Sequence, residues 1–96
     1  MEERITIALT ADEETMLMKS GHSERDIKEI ASCVKKTKYF LKNGQEETPL
    51  SPEDAINILG RNEWARGVAR ATFYGESTRW GLNNERVTVR ANNHAR

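Results

Sequence analysis

Arg66 and Arg70 stand four residues apart with Tyr74 four further on, a spacing that brings side chains to one face of a helix at about 100° per residue. Guanidinium groups one turn apart can bracket a phosphate, each forking two hydrogen bonds onto its oxygens, while a neighbouring ring offers a base a surface to stack on. Ser77 falls in the same sector if the helix continues that far, and Arg61 and Arg79 lie just outside the run. Arg61, Arg66, Arg70, Tyr74, Ser77 and Arg79 are therefore the candidate ligand-binding residues. The competing reading of Arg66 and Arg70 is a solvated face balanced locally by Glu63.

The charge distribution points the same way. Beyond position 60 every basic residue is arginine, seven of them against Glu63, Glu76 and Glu85, whereas the first 60 residues carry six lysines and two arginines against twelve acids. The formal net charge of zero thus conceals a front half near −4 (8 − 12) and a back half near +4 (7 − 3). Trp64, Phe73, Tyr74 and Trp80 are interleaved with those arginines. Trp64 and Phe73, at helical spacing, are expected in the core. Trp80, in the polar stretch 75–81, is a candidate interface anchor. Gly67 inside a helix costs about 1 kcal/mol against alanine, so it marks a close approach by another backbone or a ligand. With Ala65, Ala69 and Ala71 nearby the expected approach is helix to helix, and an interface between subunits is one place for it.

Catalysis finds little support. Cys33 sits beside Ile30 and Val34 as a buried, inert thiol. His22 and His94 come with no partner for base catalysis, and the pairs Glu13-Glu14 and Glu53-Asp54 stand at helix starts, where the dipole accounts for them. Neither a phosphate-binding glycine loop nor a nucleophile elbow is present. The expectation is a non-enzyme without cofactor or structural metal, a single cysteine and two histidines being too few soft ligands. No apolar run approaches the roughly 18 residues of a membrane span, so a soluble cytoplasmic protein is expected.

The elements that position these residues follow from period and punctuation. Ile5, Ile7 and Leu9 alternate over residues 3–9, the pattern of a half-buried strand. Thr10 with Glu13 forms a capping box for a helix over 11–20, stopped at Gly21. Ser23 caps a second helix through Ile27, Ile30 and Val34. Thr37 to Leu41 reads as a strand, Asn43-Gly44 as a hairpin turn, and Glu47 to Leu50 as the return. Ser51, Pro52 and Gly60 bound a third helix. A fourth runs from near Asn62 to at least Tyr74, and whether residues 75–85 extend it stays open. Arg86 to Arg90 alternates as an edge strand, and 91–96 reads as a frayed tail. The expected fold is α+β, mostly helical, about four helices on a small antiparallel sheet in one domain over 1–90. At 96 residues the core is modest, so a homo-oligomer is expected.

The stretch Leu59-Gly60-Arg61-Asn62-Glu63-Trp64-Ala65-Arg66-Gly67-Val68-Ala69-Arg70-Ala71-Thr72-Phe73 resembles a pattern of small uncharacterised proteins encoded by bacteriophages and prophages. In these a helix ends in Leu-Gly-Arg, an aromatic follows three residues later, and a Gly-aliphatic-x-Arg-small-small-Phe run completes the motif. The likeness extends more loosely through Gly21 to Ile27 and Thr37 to Gly44, about half the chain. Here Tyr74 stands where the pattern has a histidine, and Arg66 where a small residue is usual. The resemblance implies a phage accessory role, often host takeover or evasion of bacterial defence. Three functions are then expected in competition. One is a binder that sequesters a nucleotide-type signal or another phosphate-rich target. Another is an inhibitor of a host effector protein such as a CRISPR nuclease complex. The last is a small DNA-binding regulator, since the third and fourth helices are joined as in a helix-turn-helix.

Overall fold

The computed structural model describes residues 5–91, which form four helices and a four-stranded antiparallel sheet. In chain order these are α1 (Ala11–Lys19), α2 (Glu24–Cys33), β1 (Thr37–Asn43), β2 (Glu46–Leu50), α3 (Pro52–Leu59), α4 (Arg61–Tyr74), β3 (Glu76–Trp80) and β4 (Arg86–Ala91), with a short 3-10 turn at Val34–Lys36 before β1. The α+β expectation holds. The strands lie in the order β2-β1-β4-β3, so β1-β2 and β3-β4 are hairpins and the two join through β1 and β4.

The caps form as the sequence dictates. Thr10 accepts from the Glu13 amide at 3.2 Å while Glu13 accepts from the Thr10 amide at 2.9 Å, which satisfies two otherwise orphaned donors. Ser23 and Asp26 repeat the arrangement on α2, and Ser51 caps α3 ahead of Pro52. Gly60 and Gly75 take positive φ, at 85° and 91°, ending α3 and α4 where a side chain would be strained.

α4 is the axis of the molecule. Trp64, Ala65, Gly67, Val68, Ala69, Ala71 and Thr72 are all buried, packed between the sheet on one side and α1, α2 and α3 on the others. Burial on nearly every side explains its run of alanines and glycine, which lets neighbouring elements close in. The Trp64 indole donates to the Tyr39 hydroxyl at 2.9 Å, tying α4 to β1 with both rings fully enclosed. Val87 and Val89 from β4 and Ile30 from α2 complete the core.

The structure departs from the sequence-based expectation in three places and, at residues 76–80, decides a question that the sequence left open. Ile5, Ile7 and Leu9 do lean on the core, but residues 5–9 form no strand and join no sheet, with a bend at Ala8; the Thr6 and Ala8 carbonyls bond the Arg61 guanidinium instead. Residues 3 and 4 of that expected strand lie outside the described residues. β4 is not an edge strand: it lies between β1 and β3, with Val87, Thr88 and Val89 all buried. Residues 76–80 leave the helix at Gly75 and form β3. Ala91 is buried as the last residue of β4, so it is no part of a tail, and residues 92–96 lie outside the described residues.

Candidate functional site

Because α4 is enclosed, its exposed residues reduce to one ridge, Asn62, Arg66, Arg70 and Tyr74, at successive steps of four. α1 ends at Lys19, Gly21 turns the chain with φ 111°, and His22 leads into α2. That corner stands opposite the ridge. Between them lies a recess of about 250 Å³ lined by Ser20 and His22 from the corner, Arg66 and Arg70 from the ridge, and Arg79 from β3, with Leu17 and Ala69 as its floor. A neighbouring hollow of about 380 Å³ shares His22, Ala69 and Arg70 and adds Asp26, Phe73 and Tyr74. Sharing these three residues, the two make a trough lined by arginines at one end and by His22, Phe73, Tyr74 and the acid Asp26 at the other.

The electrostatics differ sharply among the arginines. Arg79 directs Nε and Nη2 to the same Glu63 oxygen, each at 2.8 Å. Glu63 is thereby engaged away from Arg66 and Arg70, which the competing reading had it balance. Among the described residues Arg66 makes no hydrogen bond or ion pair with a side chain, and Arg70 only lays its guanidinium 5.1 Å from the Tyr74 ring centre, a contact that engages none of its donors in a hydrogen bond. The His22 ring stacks on Phe73 at 5.8 Å and 17°, with Nδ1 3.6 Å from an Asp26 oxygen. Ser20 donates to the Met16 carbonyl at 3.0 Å, keeping its own lone pairs available.

Of the sequence-derived site residues, Arg66, Arg70 and Arg79 converge on the recess, with Tyr74 in the adjoining hollow. Arg61 does not join them. Its Nε and Nη2 bond the Glu13 carboxylate, and Nη1 and Nη2 bond the Thr6 and Ala8 carbonyls at 3.0 and 2.8 Å; the guanidinium also rests 5.2 Å from the Trp64 ring centre. Burial pushes the Glu13 carboxyl pKa up, but bonds from Arg61 and the Thr10 amide, with the arginine charge, outweigh it and the net shift is downward. Arg61 is a clamp on the N-terminal segment. Ser77 is likewise removed from the site. The end of α4 at Gly75 puts it in β3, nearly buried and facing Val89 in register.

Gly67 is a close approach, but not to a second helix or subunit. A Cβ there would stand 2.9 Å from Arg79 Cγ and 3.2 Å from Val89 Cγ2, so the glycine lets α4 settle onto β3 and β4 of its own chain. Trp80 ends β3 more than half exposed, with the Arg86 guanidinium 5.7 Å from its ring centre. His22 and Ser20 are site residues that sequence reasoning passed over; the faint signal was the Gly21-His22 turn, which sets both beside whatever packs on α1.

Among the described residues no group of three or more histidine, cysteine or acidic side chains is placed to hold a metal ion, and no helix is long and apolar enough to cross a membrane. Searches of family models, curated proteins and solved structures find no match to this chain.

Proposed function

We propose that the protein is a non-catalytic binder of a phosphate-bearing small molecule, held in the trough between α4 and the α1–α2 corner. The observation that carries this is the pair Arg66 and Arg70, one turn apart on the rim of a recess and without a carboxylate partner among the described residues. Their donors would take the phosphate oxygens, and the aromatic end at His22, Phe73 and Tyr74 would take a base or another flat group. Combined with the phage-type resemblance, the role is sequestration of a nucleotide-type signal in a host defence pathway, carried out in the cytoplasm of a host bacterial cell.

Isothermal titration with inorganic phosphate and with adenine and guanine mononucleotides tests the reading. Binding should weaken steeply with salt, and Arg66→Ala with Arg70→Ala should remove two charge-assisted contacts, a loss of roughly 100-fold at about 1.5 kcal/mol each. Both side chains are exposed, so melting temperature should barely move. A folded double variant that binds as the wild type does would eliminate the proposal.

A further inference from the structure

β3 is an edge strand whose outward backbone is identifiable atom by atom. Its inner side is fixed by two hydrogen bonds at its ends: the Gly81 amide donates to the Glu85 carbonyl at 2.6 Å, and the Ala91 amide donates to the Gly75 carbonyl at 3.0 Å. Gly75 and Gly81 therefore point toward β4, and by the alternation of an antiparallel ladder Ser77 and Arg79 do so too. The N–H and C=O groups of Glu76, Thr78 and Trp80 then point away from the sheet. The same three side chains are exposed.

The geometry points to β3 as a homodimer interface, in which a second copy of this chain pairs antiparallel with it about a two-fold axis at Thr78. In that register Thr78 faces its own mate, and Glu76 faces Trp80 on either side. Each facing pair exchanges two hydrogen bonds, so every outward donor and acceptor of the three residues is satisfied, and the two sheets join into one of eight strands. The side chains suit the pairing. Glu76, whose carboxylate accepts from Arg90 Nε of its own chain at 3.0 Å, comes beside the mate's Trp80, whose ring carries Arg86, so a second guanidinium approaches that carboxylate across the join. On the helix-facing side Arg79 comes opposite Ser77 rather than another cation, and its charge is already met by Glu63.

The opposite edge lacks this capacity. β2 carries Pro49, which has no N–H, and adjacent acids at Glu46 and Glu47, the features that keep edges from pairing. β3 has no proline, and Trp80 at 56 % and Leu82 at 77 % exposure stand at its end as apolar surface for a partner to cover. Arg66 and Arg70 of the anion recess take no part in this interface, and Arg79 is the residue that the two share.

Sedimentation velocity over a dilution series, with amide hydrogen exchange at high and low concentration, tests the assignment. The expected result is a reversible dimer in which the Glu76, Thr78 and Trp80 amides exchange more slowly as concentration rises. Thr78→Pro deletes an N–H that bonds nothing within the chain, so it should weaken dimerisation at least about tenfold, with unchanged circular dichroism. Thr78→Lys, which sets like charges face to face on the axis, should do the same if the proline variant fails to fold. A wild type that stays monomeric, or a folded Thr78→Lys protein that dimerises as tightly as the wild type, overturns the assignment.

Discussion

Replacing Arg61 with methionine keeps an apolar stem of similar length and removes the charge, and the structure specifies what is then left behind. Glu13 is 2 % exposed and loses both of its arginine bonds, while the Thr6 and Ala8 carbonyls lose theirs. Breaking a buried pair from one side costs about 3–5 kcal/mol. The Arg61 side chain is about one-third exposed, so water screens part of that, and about 2–3 kcal/mol is the expected loss near neutral pH. For a domain of this size the melting temperature should fall by roughly 10–20 °C.

The sign of the pH dependence is the sharper test. In the wild type the folded-state pKa of Glu13 is lowered; its stabilisation is complete above the unfolded value near 4.3 and is lost as pH falls through the folded value. Without Arg61 the lowering contributions are reduced to the Thr10 bonds, and burial drives the carboxyl the other way, so the variant is relieved as Glu13 takes up a proton on acidification. The stability gap between the two proteins, measured by urea unfolding, should therefore narrow between about pH 7 and about pH 4. Adding Glu13→Gln, which preserves the capping box, should recover part of the loss at neutral pH. A gap that stays constant with pH, or a loss well under about 1 kcal/mol, would refute the clamp.

The remaining outcomes follow from equally local geometry. Gly67→Ala drives a methyl against Arg79 Cγ at 2.9 Å and Val89 Cγ2 at 3.2 Å; overpacking of about 1–3 kcal/mol exceeds the gain in helix propensity of about 1 kcal/mol, so thermal unfolding should show net destabilisation. Tyr39→Phe strands the buried Trp64 N–H and should cost about 1–3 kcal/mol with a change in near-ultraviolet circular dichroism; an unchanged protein would mean the indole finds another acceptor. Glu63→Gln removes the carboxylate that neutralises Arg79 beside the recess, so phosphate affinity at low salt should rise several-fold, and a fall would count against the trough as the anion site.

Local features were legible in the sequence, and their long-range pairing was not. Thr10, Ser23, Ser51 and Gly60 announced helix ends because capping is settled within four residues, whatever the rest of the chain does. The Ile5, Ile7 and Leu9 alternation correctly showed which side faces the core, but a period of two says only that the backbone is extended. Whether such a segment has a strand beside it depends on residues far away in sequence; here an arginine about 55 residues on takes the carbonyls a strand would have used.

The arginines divide on the same principle. Helical spacing showed that Arg66 and Arg70 share a face, and they do. Nothing local to Arg61 distinguishes it from them, because its partner Glu13 is 48 residues distant and was fully explained by its own cap. Glu13 does both tasks at once, accepting from the Thr10 amide with one oxygen and from Arg61 with both. An acid at the third position of a helix carries no mark that it is also the buried half of an ion pair. What separates a structural guanidinium from an available one is therefore the count of donors already engaged. By that measure Arg61 is committed to the fold and Arg79 is half committed through Glu63, while no side-chain acceptor among the described residues engages the donors of Arg66 and Arg70, the condition that the proposed binding needs.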